Sequence, residues 1–226
     1  MPSSQTPSLL NFIEIGNPHA DKSVIWLHGL GANGHDFEPI IPELNLPTEH
    51  NIRFIFPHAP ELPVTINAGM MMPAWYDIYS DSFTNHEDEE GIQQSAAAIT
   101  QLIEHEKQRG IAANKIVLAG FSQGGAIALH TALRHPESLA GVMSLSSYLP
   151  LAQQFDNERH KANQHIPIMM CHGSHDPVVA FSLGEDSRYI LEQAGYKVSW
   201  HTYPMQHSVC PDEITDISQW LQKIWL

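Results

Sequence analysis

Ile116-Val117-Leu118-Ala119-Gly120-Phe121-Ser122-Gln123-Gly124-Gly125-Ala126 is the stretch that decides the fold. An apolar run of strand length enters Gly-x-Ser-x-Gly, and a helix-forming run from Ala126 to Arg134 follows. Strand, sharp turn and helix in that order present a serine hydroxyl at the edge of a sheet. The turn strains the backbone at Ser122. Gly120 and Gly124 flank it because a Cβ at either position would clash with a neighbouring segment. The backbone N–H of Gln123 then opens a helix, where developing negative charge is favoured.

Outward from this stretch, buried strands alternate with helices. Ser23 to Leu27 is a continuous apolar run, as are Ile52 to Phe56, Gly141 to Leu145 and Pro167 to Cys171. Such runs mark strands covered on both faces. Val198 to Tyr203 adds another strand, and Leu9 to Ile15 an edge strand. Helices are expected over Asp36 to Leu44, Ile92 to Arg109, Ser182 to Ala194 and Pro211 to Trp225. Ile92, Ala96, Ile99 and Ile103 form one apolar stripe. Val64 to Ile66 suggests a strand, with a turn at Asn67-Ala68-Gly69. Asp81 to Gly91 reads as an acidic surface loop, and Leu149 to His165 as a loop with room for a short helix. The pattern is α/β, a mostly parallel doubly wound sheet with helices on both faces. At 226 residues one domain accounts for the chain, with about residues 1–8 as a flexible tail.

Composition narrows the partners. The net charge of −14 and the lack of basic patches argue against nucleic acid and anionic membranes. No apolar run approaches the ~18 residues of a membrane span, and Met1 to Pro7 lacks the features of a secretion signal. Two cysteines, Cys171 and Cys210, make no disulfide framework. A cytoplasmic protein is expected.

Three reactive residues each follow a predicted strand: Ser122, Asp176 and His207. In open α/β sheets that edge carries the active site. A serine hydroxyl attacks well only when a base takes its proton, which His207 can do near neutral pH. Asp176 would hold the imidazole in the right tautomer. Rivals stand close by: His172 and His175 beside Asp176, and Asp212 after His207. His172-x-x-His175-Asp176 has some look of a metal site, but spacing indicates no third ligand, so no metal is expected. A second Gly-rich turn, His28-Gly29-Leu30-Gly31, follows the strand ending at Leu27 and lets backbone N–H groups approach a substrate oxygen. Met70, Met71, Met72 and Trp75 suit either core or an adaptable acyl site.

Together these blocks resemble the serine carboxylesterase and acyl-protein thioesterase (lysophospholipase-type) family of α/β hydrolases. The resemblance rests on Leu27 to Gly31, Gly120 to Gly125, His172-Gly173 with Asp176-Pro177-Val178-Val179, and His207-Ser208-Val209. Pro63 to Asn67 and Trp75 to Ile78 look like its bacterial carboxylesterase branch. The resemblance implies the α/β-hydrolase fold and a cofactor-free esterase acting on a small ester or acyl substrate. It implies Ser122, Asp176 and His207 as the triad, and Leu30 and Gln123 as donors of the oxyanion hole. Members are often homodimers. An acyl group would then meet Met71, Met72, Trp75, Val178 and Val179. Thioester cleavage on acylated proteins and lysophospholipid hydrolysis are alternatives on the same machinery. Asn33, Ala180 and Gln206 stand where the family commonly has Asp, Pro and Gly.

Overall fold

A computed structural model describes residues 9–80 and 86–225. The expected N-terminal tail and part of the expected acidic loop lie outside the described residues. The central sheet has seven strands: β1 (Phe12–Gly16), β2 (Lys22–Leu27), β3 (Ile52–Pro57), β6 (Ile116–Phe121), β7 (Gly141–Leu145), β8 (Ile168–Gly173) and β9 (Val198–Tyr203). Their order is β1-β3-β2-β6-β7-β8-β9. Only β1 runs antiparallel, against β3; the other neighbours pair in parallel.

Alternation along each strand sorts the side chains to two faces. Ile25, Leu27, Ile116, Leu118, Val142, Ile168 and Met170 face one layer, built from α2 (Glu89–Gln108), α3 (Gln123–Arg134) and α5 (Phe181–Gln193). Val24, Trp26, Val117, Ala119, Met143, Met169 and Cys171 face the other, built from α1 (Ile40–Glu43) and α6 (Pro211–Ile224). Both faces are therefore covered, as the continuous apolar strands require. A last short helix, α4 (Phe155–Glu158), is anchored by the fully buried Phe155.

Local departures from the expected elements have local causes. The helix expected from Asp36 begins only at Ile40, because Pro39 stands at its N-cap and cannot continue a helix upstream. Helix α2 begins at Glu89 rather than Ile92. Asp88 caps it, its carboxylate accepting the Gly91 N–H, and Glu89 and Glu90 form a first turn that suits the helix dipole.

The largest departure is in the insertion after β3. The strand expected at Val64 to Ile66 ends at Val64. Thr65–Asn67 is a 3-10 turn, and the methionines themselves form the return strand. The result is a separate hairpin, β4 (Glu61–Val64) against β5 (Met70–Pro73), with Val64 opposite Met70. The Asp77 carboxylate fixes the turn, accepting from the Thr65 N–H at 2.7 Å and the Thr65 hydroxyl at 2.5 Å.

Candidate active site

The turn between β6 and α3 has the strain its sequence calls for. Ser122 sits at φ 52°, ψ −122°, a region non-glycine residues seldom occupy. Surrounding contacts hold it there. Its N–H donates to Leu145 O at 2.8 Å, and its carbonyl accepts from Gly125 N, Ala126 N and the Ser147 hydroxyl. The flanking glycines are obligatory. A Cβ on Gly120 would lie 2.3 Å from the Gly124 carbonyl, and one on Gly124 would lie 2.5 Å from His28 O.

Asp176 and His207 come together past the ends of β8 and β9. The His207 Nδ1–H donates to Asp176 Oδ2 at 2.7 Å. Asp176 Oδ1 accepts the N–H groups of Val178 and Val179 at 2.8 and 3.0 Å, so each carboxylate oxygen has a fixed task. The two loops are tied to each other as well: Ser174 N–H donates to Tyr203 O and His175 N–H to Met205 O. The His207 ring packs on Phe121, the neighbour of Ser122, with centroids 4.7 Å apart. Ser122, Asp176 and His207 therefore share one edge of the sheet.

The rival residues do not take the place of His207 or Asp176; His172 Nε2 stays 3.6 Å from Asp176 Oδ2, beyond hydrogen-bond distance. His172 is fully buried under the acid turn, its Nε2–H donating to Val179 O at 2.9 Å, and burial pushes its pKa down, keeping it neutral. His175 is exposed on the turn, and Asp212 is exposed in the first turn of α6. No group of three or more His, Cys, Asp or Glu residues among the described ones is arranged to hold a metal ion. Of the departures from the family pattern, Ala180 adopts φ −53°, an angle a proline would also take, and Gln206 is exposed.

The Gly29–Leu30 turn lies directly against the elbow: a Cβ on Gly29 would be 3.5 Å from Ser122 Cβ. His28 fixes this turn. Its Nδ1–H donates to Gly29 O at 2.7 Å while its Nε2 accepts the Ala59 N–H at 3.1 Å. Burial pushes its pKa down, which favours the neutral tautomer this pairing needs. The Gly29–Leu30 turn and the start of α3 at Gln123 thus both border Ser122.

The Gln123 side chain does something its sequence position did not disclose. It is buried, with Oε1 accepting the Trp75 N–H at 2.8 Å and Nε2 donating to Tyr76 O at 2.7 Å. Trp75 Nε1–H donates to His28 O at 2.9 Å, and the Ser95 hydroxyl donates to Trp75 O. The residue after the serine therefore ties the insertion to both candidate oxyanion turns. Gly31 N–H adds a bond to Pro73 O at 2.8 Å.

The expected acyl-contacting residues divide. Met71 is exposed at 57 %, Val178 at 52 %, and Met72 is half-buried with its sulfur beside Gly31. Trp75 and Val179 are instead in the core beneath the site, 1 and 2 % exposed. The Trp75 indole has a buried carbonyl for its N–H, and the Val179 backbone is pinned on both sides, by Asp176 through its N–H and His172 through its carbonyl. Both support the site from below.

The sequence comparisons bear on this geometry. The family profile described as phospholipase/carboxylesterase matches residues 10–225. The chain belongs to that family. Among curated relatives, acyl-protein thioesterase 1 of Neurospora crassa is 41% identical over 208 residues, covering 88% of this chain and 85% of its own. Acyl-protein thioesterase 1 of Gibberella zeae is 40% identical, with 89% of each chain covered. Among solved structures, Zea mays acyl-protein thioesterase 2 has a TM-score of 0.83 at 28% identity, covering 95% of this chain and 98% of its own. A Bacillus cereus carboxylesterase, TM-score 0.77 at 18% identity over 96% of this chain and 95% of its own, shares the fold. The chain has the α/β-hydrolase fold.

Behind the His207 loop lies a buried acid with no evident catalytic task. Glu213, in the first turn of α6, is fully buried, and neither carboxyl oxygen has a hydrogen-bond partner of ordinary geometry. Burial pushes its pKa from 4.5 up to about 8. Between those values the folded protein keeps the proton and the unfolded chain releases it. Stability contributed by this group is present at low pH and is lost as pH rises toward about 8, by up to about 1.4 kcal/mol per pH unit. Glu213→Gln removes the titration. Its melting temperature relative to the parent should climb from pH 5 to pH 8 and then level off. A difference that stays constant with pH would contradict the assignment.

Proposed function

We propose that this chain is a serine hydrolase that cleaves acyl esters and thioesters through an acyl-enzyme intermediate. The observation that carries the reading is the 2.7 Å bond from His207 Nδ1 to Asp176, with the His207 ring resting beside the strained serine turn. Asp176 fixes the proton on Nδ1, which leaves Nε2 free to accept one. Ser122 Oγ attacks the acyl carbonyl carbon, and its proton passes to His207 Nε2. The carbonyl oxygen becomes an oxyanion, met by the N–H groups of Leu30 and Gln123. On collapse the alcohol or thiol leaves with the proton from His207. Water then attacks the acyl-enzyme, giving its proton to His207. A second collapse returns that proton to Ser122 and releases the carboxylic acid.

A short- to medium-chain carboxylesterase and an acyl-protein thioesterase share every step, and differ in leaving group and groove. The names of the relatives at about 40% identity favour protein thioesters. An acyl chain would run over the hairpin, where Met71 and Met72 stay accessible. The free state of Cys171 and Cys210 is in keeping with a reducing, cytoplasmic location. The described residues include no helix long and apolar enough to cross a membrane.

A fluorophosphonate should add once to the intact protein, at Ser122, and kcat/KM should be measured on matched oxygen esters and S-acyl peptides from acetyl to palmitoyl. An adduct on another serine, or none in active protein, would overturn the nucleophile. Faster turnover of S-acyl peptides would favour the thioesterase reading. For the groove, Met71→Ala and Met72→Ala should each lower the octanoate-to-acetate ratio about fivefold, the contact of one or two methylenes at about 0.8 kcal/mol each. Melting temperatures should hardly move, since neither side chain is buried in the core. A flat ratio in both variants would remove the hairpin from the acyl path.

A further inference from the structure

At the opposite end of the sheet from Ser122 lies an open cavity of about 600 Å³ that the proposed chemistry does not use. It is bounded by the start of β8, the start of the edge strand β9 and the last turn of α6. Its volume falls within the roughly 300–1,000 Å³ of small-molecule sites. The floor is apolar, with Trp220, Ile224, Ile168 and Val198 among its residues. Trp220 can pack there because Gly141 has no side chain; a Cβ at that position would come within 2.6 Å of the indole.

The rim is cationic in an acidic chain. Acidic residues outnumber lysines and arginines 25 to 11, yet no Asp or Glu lines this cavity, and Lys197 and Lys223 both do. Both lysines are exposed, and neither has an ion-pair partner among the described residues; Lys115 and Lys161 share that state, whereas Lys22, Lys107, Arg53, Arg109, Arg134, Arg159 and Arg188 each have a partner. An apolar trough beside two unpaired ammonium groups is complementary to an apolar chain ending in an anion.

We propose that this cavity binds a monomeric medium-chain carboxylate, its chain laid along Trp220 and Ile224 and its carboxylate between Lys197 and Lys223. The inference stands on the lining of the cavity and not on the reaction assigned to Ser122. The site would let a free acid bind away from the serine.

The test uses decanoic acid carrying a terminal diazirine, kept below its micelle concentration, with protein whose Ser122 has first been blocked by a fluorophosphonate. After irradiation, peptide mapping should place adducts within residues 195–199 or 220–225. Lys197→Glu with Lys223→Glu should cut that labelling about tenfold, since two charge contacts are replaced by repulsion. The lysines are exposed, so the variant should melt like the parent; if it does not, Lys197→Gln with Lys223→Gln gives the same reading with a smaller loss. The matching diazirine decylamine should leave the cavity unlabelled. Equal labelling by acid and amine, labelling unchanged by the substitutions, or labelling that appears only when phospholipid vesicles are added would each overturn the proposal. Adducts confined to the hairpin near Ser122 would also overturn it, while leaving the hydrolase reading intact. Cavity labelling in a protein without esterase or thioesterase activity would do the reverse.

Discussion

Ser122→Ala is expected to lose about 10⁶-fold in kcat toward any ester or thioester, the scale seen when a serine nucleophile is removed from a triad. The fold should survive, because the structural work of this residue is done by its backbone. The N–H bond to Leu145 and the bonds accepted from Gly125, Ala126 and Ser147 all remain in the alanine variant. The strain remains too, since alanine at φ 52°, ψ −122° is as disfavoured as serine. Ser122→Gly separates strain from chemistry. Glycine adopts this conformation freely, relieving part of the roughly 1–3 kcal/mol that such a residue costs, against a loss of chain entropy on folding. The glycine variant should be as inactive as the alanine variant and melt no lower than it. Thermal melts and turnover of p-nitrophenyl octanoate measure both. An alanine variant within a hundredfold of the parent would remove Ser122 as nucleophile.

The serine turn was readable in advance because its constraint is local. Gly120, Gly124 and the strand before them are contiguous, and the close backbone approaches that exclude a Cβ are dictated by the turn itself. The strands were readable for a related reason: a strand covered on both faces is apolar over its buried stretch, as Val24 to Leu27 of β2, β6 and Ile168 to Cys171 of β8 are. Position past a strand end marked Asp176 in the sequence, and the structure pairs it with His207 at 2.7 Å while Asp212 lies exposed on α6.

The insertion was not readable in this way. A run of three methionines flanked by Gly69 and Pro73 has no alternation to reveal a strand, and its turn is fixed by Asp77, 12 residues from Thr65. The task of Gln123 was equally hidden. Its side chain meets Trp75 and Tyr76 across separations of 48 and 47 residues, and glutamine at the start of a helix is ordinary in itself. Trp75, beside the methionines, suited either core or an acyl site by its sequence. It is buried under the elbow, where its indole N–H donates to His28 O. Long-range hydrogen bonds of single polar side chains leave no periodic signal in a sequence.

Asp176→Asn should cost about 10⁴ in kcat with little change in melting temperature, and the geometry says why. Oδ1 of Asp176 accepts two backbone N–H groups, from Val178 and Val179. In the asparagine variant the carbonyl oxygen must keep that place, because an amide NH₂ there would face two donors. The NH₂ group is then forced toward His207 Nδ1, now as a donor. His207 responds by carrying its proton on Nε2, the nitrogen that should receive the proton of Ser122. Folding is spared because the amide still satisfies the acid turn, and the imidazole still has a partner. Asp176→Ala makes the contrast: it leaves the Val178 and Val179 N–H groups without an acceptor, so it should lose activity and also about 1–3 kcal/mol of stability. Asp212→Asn, on the exposed first turn of α6, should leave kcat within a few fold of the parent. Steady-state kinetics and thermal melts on the three variants decide the matter. An Asp176→Asn enzyme within tenfold of the parent, beside an inactive Asp212→Asn, would assign the acid to the other aspartate.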